Sequence, residues 1–382
     1  MKKVFYIDPM SYNNMAVYDY NLLNSNLSYR KKNFDITYFG SYLYQGNRVQ
    51  QLVFIPIFKY NKIHNKALKF ISYAISLLKI LVYTYKLSPN IIHIQWIRCY
   101  YLDILFLKLI KLKGIQVIYT AHNLLPHNDF NGRMFKKYRN YYNEVSHIIV
   151  HAKHSKEELI NRFEVTSGKI SIIPHGLLDL PCSETTVVSL IDKIKLKYNL
   201  SNKYVFSCLG FQSKYKGTDW LIQLWHEMEK LRNNSEVVLV LAGKFDSSLD
   251  CSLLDRLNNV VIVDRFLTDD EFVAFLRISN MILLPYKVIS QSGVLLSAMY
   301  ERKPVLVSNV GGLTEPFEIG KVGWCIGAPS YENLCNMISY IVENLDKIDQ
   351  IKNNQKVWSE IRNYYSWTAI SKKTFDLYNR LS

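Results

Sequence analysis

The stretch Leu283-Leu284-Pro285-Tyr286-Lys287-Val288-Ile289-Ser290-Gln291-Ser292-Gly293-Val294-Leu295-Leu296-Ser297-Ala298-Met299 decides the fold. It runs on through Glu301-Arg302-Lys303-Pro304-Val305-Leu306-Val307-Ser308-Asn309-Val310-Gly311-Gly312-Leu313-Thr314-Glu315. Met281 to Leu284 reads as a buried strand and Ser290 to Gly293 as a polar turn. Gly293 to Tyr300 reads as a helix, Pro304 to Ser308 as a second apolar strand, and Gly311-Gly312 as the next turn. A strand, a helix and a strand at this spacing form a βαβ unit. Its turn is built of small, hydrogen-bonding residues and leaves N–H groups free at a helix start, where an anion such as a phosphate is favoured. An ordinary crossover with a glycine turn fits the same residues, so the rest of the chain must separate the two readings.

The chain has 382 residues, too many for one ordinary core, which predicts two domains. A hydrophobic share of 49% against 21% charged excludes a disordered chain. Six cysteines lie far apart with no C-x-x-C, so neither a disulfide framework nor a zinc site is predicted. Met1 to Asp8 is too short an apolar run for a signal peptide and reads as the first strand. The apolar segment Phe70 to Tyr85, interrupted by Lys79, falls short of the roughly 20 residues of a bilayer span. A cytoplasmic location follows as an expectation, with peripheral attachment to the inner membrane face. The net charge of +15 predicts an anionic partner. Between Ile57 and Asn90 stand six lysines (59, 62, 66, 69, 79 and 86), interleaved with aromatics and no acid, a pattern suited to an anionic membrane surface at 57–90. An ordinary helix with a solvated lysine face fits as well. No nucleic-acid recognition signature accompanies the charge, and no nucleic-acid partner is expected.

Strands and helices alternate from Lys3 to Ile173 and again from Tyr204 to Leu345, which predicts an α/β fold with two doubly wound parallel sheets. The domains are placed at 1–178 and 203–365, with 179–202 as an interdomain connector and a terminal amphipathic helix over 366–382. The crevice between two such domains is the expected ligand site. Four polar islands fall at the carboxyl ends of predicted strands, where open sheets bind ligands. They are His122-Asn123 with His127 nearby, Pro174-His175-Gly176, Gly210-Phe211-Gln212-Ser213-Lys214-Tyr215-Lys216-Gly217, and Ser290 to Leu295. A histidine after a strand suits contact with a substrate hydroxyl or developing charge, though a structural loop histidine fits too. The third island offers a lysine charge and backbone donors to a phosphate, without the G-x-x-x-x-G-K-[ST] of a Walker A loop.

In this order, Thr120-Ala121-His122-Asn123, Ile173-Pro174-His175-Gly176, Gly210…Lys216-Gly217, Leu241-Ala242-Gly243-Lys244 and the opening stretch together resemble the retaining GT-B glycosyltransferases of family 4. The resemblance spans nearly the whole chain, including Tyr365-Ser366-Trp367 before a terminal segment that returns to the first domain. It implies two Rossmann-like domains facing across a cleft (GT-B). It also implies a metal-independent transfer of a sugar, with anomeric configuration kept, from a nucleotide-diphosphate sugar to a glycan or lipid-linked acceptor in capsule- or lipopolysaccharide-type surface polysaccharide assembly. No cofactor is implied beyond the co-substrate, a UDP- or GDP-sugar. His122 matches the histidine near the reacting sugar carbon, and Lys216 the lysine that neutralises the diphosphate. Gly210, Ser213 and Lys214 belong to the lysine loop. Gln291, Ser292, Gly293, Val294 and Leu295 match the diphosphate turn, Phe266 and Leu267 the strand end that reads the base, and Glu315 the end of the opening stretch.

Departures accompany the match. A pair of glutamates common in the family falls here on Ser297 and on Ile289 or Ser290, and an arginine of the lysine loop falls on Phe211, leaving Lys214 as the second cation. Ser11-Tyr12-Asn13-Asn14 stands where a glycine-rich loop is usual. The departures keep two further readings open: a nucleotide-sugar epimerase on the same frame, and an inactive relative that partners another transferase.

Overall fold

A computed structural model describes the chain except for residues 13, 45–51, 126–131 and 255–256, and for the side chain of residue 14. It divides into two compact units, Met1–Gly176 with Tyr365–Ser382, and Leu177–Tyr364.

Unit 1 holds seven strands: β1 (Lys2–Ile7), β2 (Phe34–Ser41), β3 (Val53–Phe58), β4 (Ile91–Ile94), β5 (Gln116–Thr120), β6 (His147–Val150) and β7 (Ile170–Ile172). They form one parallel sheet in the order β3-β2-β1-β4-β5-β6-β7. Strands such as Ile-Ile-His-Ile and His-Ile-Ile-Val are buried along their whole length, as a parallel sheet covered by helices on both faces requires. Period-2 alternation sends Phe5 and Ile7 to one face, under the helices Lys66–Leu87, Tyr100–Lys111 and Phe135–Glu144. Val4 and Tyr6 go to the other, under Asn14–Asn24 and the terminal helix Trp367–Leu381. That terminal helix is tied in by Tyr378, whose hydroxyl lies 2.5 Å from His93 Nδ1 in β4. Trp367 packs against Gly176, where an added Cβ would meet the indole at 2.3 Å.

Unit 2 holds β8 (Tyr204–Leu209), β9 (Val237–Ala242), β10 (Val260–Val263), β11 (Met281–Leu284), β12 (Val305–Val307) and β13 (Gly323–Cys325). They form a second parallel sheet in the order β10-β9-β8-β11-β12-β13. In both sheets the order runs outward from the first strand in two directions. Each therefore has a switch point, between β1 and β4 and between β8 and β11, where adjacent loops diverge and leave a crevice.

Three local readings change. The expected connector 179–202 contains a 14-residue helix, Glu184–Lys197, capped by Ser183, and the segment belongs to unit 2. Its Glu184 forms a bidentate pair with Arg277 at 2.6 and 2.8 Å, which ties the segment to the helix Asp269–Ile278. Strand β13 and the helices Asp346–Lys352 and Gln355–Tyr364 were not anticipated. The apolar segment around Phe70 to Tyr85 lies within a helix of 22 residues, Lys66–Leu87, started by the Asn65 side chain accepting from Ala67 and Leu68 N–H. Among the described residues it is one helix long and apolar enough to cross a membrane, so length alone does not exclude a span. Its buried residues Tyr73, Ser76, Leu77, Ile80 and Thr84 instead make it a covering layer of the first sheet.

Candidate functional site

In unit 2 the predicted donor residues collect at the carboxyl edge of one parallel sheet. After β8, Gly210 (φ +87°) turns the chain into a short 3-10 turn, Lys214–Lys216, which Gly217 (φ +74°) ends before the helix Thr218–Glu227. A Cβ on Gly217 would lie 2.2 Å from the Pro285 carbonyl oxygen, so the lysine loop presses directly on the chain leaving β11. Lys287 N–H donates to the Tyr215 carbonyl at 2.8 Å, and the Lys287 ammonium pairs with Asp219 at 2.6 Å. The Gln212 side chain is buried, donating to the Cys208 and Gly210 carbonyls while accepting from the Thr218 hydroxyl. Gly217→Ala is expected to lower the melting temperature of unit 2 by roughly 4–8 °C, for a cost of about 2 kcal/mol from the left-handed φ and the overlap with Pro285. An unchanged calorimetric melt would refute the close approach.

The fourth island supplies the facing wall. The Ser292 hydroxyl caps the helix Gly293–Tyr300 by accepting from Leu295 N–H at 3.3 Å. The N–H groups of Gly293 and Val294 have no protein acceptor among the described residues and open the helix with its partial positive charge. Gly210 joins the two loops, because a Cβ there would stand 3.7 Å from both Lys216 Nζ and a Val294 methyl. The Lys216 ammonium also lies 5.6 Å from the Tyr286 ring centre. Burial draws its pKa below the usual lysine range, and it has no ion pair among the described residues. A half-buried cation beside two unpaired N–H donors at the β8/β11 switch point is a site for an anion.

The other predicted positions spread along the same edge. Ser213 is buried, and its carbonyl accepts from Lys216 N–H at 3.1 Å. Lys214 is exposed and Gln291 half-buried. Phe266 and Leu267 follow β10 at the edge of the sheet; Phe266 is 76% exposed, and the adjacent Arg265 is held by Glu271 at 2.6 and 2.7 Å. Glu315 begins a 3-10 turn after Gly311-Gly312, and Gly312 N–H donates to the Ser290 carbonyl at 3.0 Å. At the departures, Ser297 is buried and Ser290 half-buried, while Phe211 exposes its ring.

His122 lies in unit 1, after β5, at the centre of a polar network. His127 and Asn13 fall outside the described residues. His151 Nδ1 donates to the Ile173 carbonyl at 2.8 Å, which leaves its Nε2 to accept from His122 Nδ1–H at 3.2 Å. The Nε2 of His122 is then an acceptor, 3.0 Å from the amide end of Gln95. The amide orientation that satisfies this network exchanges its two ends, turning nitrogen toward His122 and oxygen toward His93 Nε2, also 3.0 Å away. His93 Nε2–H also donates to Thr120 at 2.7 Å, and its Nδ1 accepts from Tyr378. Burial, followed by the neighbouring histidines, holds the His122 pKa well below the usual range, and burial draws His151 down to about 3. His122 is therefore neutral, stacked on Trp96 at 4.9 Å, with both ring nitrogens engaged inside unit 1. His175 packs on Tyr18 and Trp367, and its Nδ1 lies 2.7 Å from the Gly176 carbonyl.

The sequence reading missed Gln95 and a buried carboxyl pair. Asp8, after β1, has its pKa raised well above the usual carboxylate range by burial and by the charge of Asp19. Asp19, its pKa raised to about 6 by burial, accepts from Tyr6 at 2.5 Å and from Tyr38. An acid at the end of a first strand is a signal for this position, whereas its Asp19 partner comes from a helix face.

Comparison with known proteins places these features. The model for glycosyltransferase family 4 matches residues 29–177, and that for glycosyl transferases group 1 matches residues 191–358. An uncharacterized glycosyltransferase of Methanocaldococcus jannaschii is 23% identical over 240 residues, 62% of this chain and 60% of its own length. A D-inositol 3-phosphate glycosyltransferase of Gordonia bronchialis is 23% identical over 247 residues, 62% of this chain and 53% of its own. The matches thus span less than two thirds of either relative. HepE from Anabaena, solved in complex with UDP, shares the fold with a TM-score of 0.69 at 15% identity, over the full length of both chains. The two family matches adjoin and together take in most of both units, and the chain belongs to the glycosyltransferases of group 1 and family 4.

Proposed function

We propose that this protein is a metal-independent, retaining glycosyltransferase that moves a sugar from a nucleoside-diphosphate sugar to a hydroxyl of a glycan or lipid-linked acceptor. Its setting is surface polysaccharide assembly, at the cytoplasmic face of an anionic membrane. The observation that carries the reading is the half-buried Lys216 ammonium beside the unpaired N–H groups of Gly293 and Val294. As the bond from the anomeric carbon to the phosphate oxygen breaks, the departing diphosphate gains charge, and a preorganised cation with backbone donors stabilises it without reorganising. The exposed Phe266 ring gives the base a surface to stack on. His122, unprotonated at Nε2, accepts a donor-sugar hydroxyl in place of the Gln95 amide. The UDP in HepE makes a UDP-sugar the first donor to assay.

Incubation with a panel of UDP- and GDP-sugars and lipid-phosphate or oligosaccharide acceptors, read by mass spectrometry and by NMR of the new anomeric centre, tests this. One donor class should give a product of unchanged configuration at a rate insensitive to EDTA. Conversion of the donor sugar in the absence of acceptor would indicate an epimerase instead. The serines at 290 and 297 favour a second reading, an inactive partner of another transferase, for which calorimetry would show no binding of UDP or GDP.

A further inference from the structure

Nothing in the donor site accounts for the outer face of the 66–87 helix. Tyr73, Leu77, Ile80 and Thr84 form its seam toward the sheet. At about 100° per residue, Leu68, Ile71, Ile75, Leu78, Val82 and Tyr85 fall on the opposite side, and each is 43–60% exposed. The neighbouring helix continues this surface with Tyr101 and Leu105, followed by Leu112. A stripe on one helix suits a single partner helix, whereas stripes on two adjacent helices make a broad apolar face.

Between this helix and the edge strand β3 lies an open groove of about 500 Å³, lined by Ile55, Ile57, Ile63, Leu68, Ile71 and Ile75. Ser72, Lys59 and Lys79 also line it. Lys59, Lys62, Lys66, Lys69, Lys79 and Lys86 have no acidic partner among the described residues. In a two-fold contact with a second copy, this patch would meet itself and set lysine against lysine. A negatively charged sheet of hydrocarbon chains complements both the apolar face and the lysines.

We propose that this two-helix face rests on an anionic bilayer, and that the β3–helix groove seats the hydrocarbon chain of a phosphate-bearing lipid while Lys59 and Lys79 hold its phosphate. The inference deepens the reading above by making the acceptor lipid-borne, and rests on that reading only for the link to transfer. A chain that passes from bilayer hydrocarbon into an apolar groove gains little per methylene, so selection from the bilayer rests on the phosphate held by the two lysines.

Two measurements on the full chain test it. Flotation with phosphatidylcholine vesicles, and with vesicles of an equimolar mixture with phosphatidylglycerol, should recover the protein at least about tenfold better on the anionic ones. Ile75→Glu/Leu78→Glu should abolish recovery. Equal recovery on both vesicles, or a concentration-dependent dimer dispersed by those two substitutions, would overturn the membrane assignment. For the groove, dodecyl phosphate below its critical micelle concentration should bind wild type by calorimetry, and Ser72→Trp should weaken it at least about tenfold. Lys79→Gln should weaken dodecyl phosphate but not dodecanol, whereas unchanged affinity in Ser72→Trp would overturn the groove. UDP binding separates the two claims: its loss with lipid binding intact would count against the transferase reading alone.

Discussion

Replacing Lys216 by alanine is expected to lower kcat/KM for the nucleotide-sugar donor about 10- to 150-fold, the equivalent of roughly 1.5–3 kcal/mol for a hydrogen bond to a charged group. The ammonium is half-buried and free of a competing carboxylate, so its interaction with a diphosphate is weakly screened. Solvent also takes little of its place once it is gone. Binding of UDP should weaken alongside turnover, because the charge acts on the bound diphosphate as well as on the departing one. Lys214→Ala provides the internal contrast: that side chain is exposed, and its loss should cost no more than about 1 kcal/mol, the ceiling for exposed ion pairs. Equal effects of the two substitutions, or wild-type turnover in Lys216→Ala, would remove the diphosphate from this loop. Melting curves should show both variants folded, since among the described residues the Lys216 ammonium makes no ion pair and lies over the face of the Tyr286 ring.

Acid should unfold unit 1 well before unit 2. Burial lowers the pKa of five histidines there: His93 and His151 to about 3, His147 and His175 to about 4, and His122 well below its usual range. A depressed histidine contributes stability above its unfolded value, near 6.5, and that stability is lost as pH falls toward the folded value. Asp8, Asp19 and Asp103 act in the opposite sense, for their pKa values are raised by burial, the last two to about 6. They favour the folded state at low pH and lose that contribution as pH rises through the folded value. Between pH 6 and 4.5 the five histidines outweigh the three carboxyls, so the unfolded chain binds more protons than the folded one and stability falls as pH falls. Domain stability is small, so over that interval the melting temperature of unit 1 should drop by several degrees. Scanning calorimetry at pH 7.5, 6 and 4.5 checks this. A unit 1 transition that holds its temperature across the range would mean that the histidine network is charged or open.

The local geometry of the lysine loop and of the Ser290–Gly293 turn was legible because it depends on near neighbours in the chain. Gly210, Gly217 and Gly293, the Ser292 cap and the flanking apolar strands carry their signals within a few residues. The histidine network was not, because His93, Gln95, His122 and His151 reach it from the ends or interiors of three different strands. Only the order β4-β5-β6 makes them neighbours. The same network gives His122 a tautomer that its motif does not specify. Strand β13 escaped notice because Gly323-Trp324-Cys325 has neither the length nor the alternation of a strand. The Glu184–Lys197 helix was read as part of a connector because Pro181, a Ser/Thr run and the charges of 192–197 interrupt the strand–helix alternation, whereas in space Arg277 stands opposite Glu184.

Sequence alone determined the α/β class, the parallel sheets and the positions of the loops that follow β8 and β11. Hydrophobic periodicity, glycine and capping residues act through the backbone within one or two elements, and so survive in a linear reading. The tertiary structure decided which ionisable groups lose their water, and with it which are charged. Lys216 without a carboxylate among the described residues, Asp8 desolvated near the charge of Asp19, and the 66–87 helix apolar on two opposite faces are all consequences of what lies beside each residue in space. Desolvation and Coulomb energy depend on that neighbourhood, and neighbours brought from distant parts of the chain leave no spacing by which to find them.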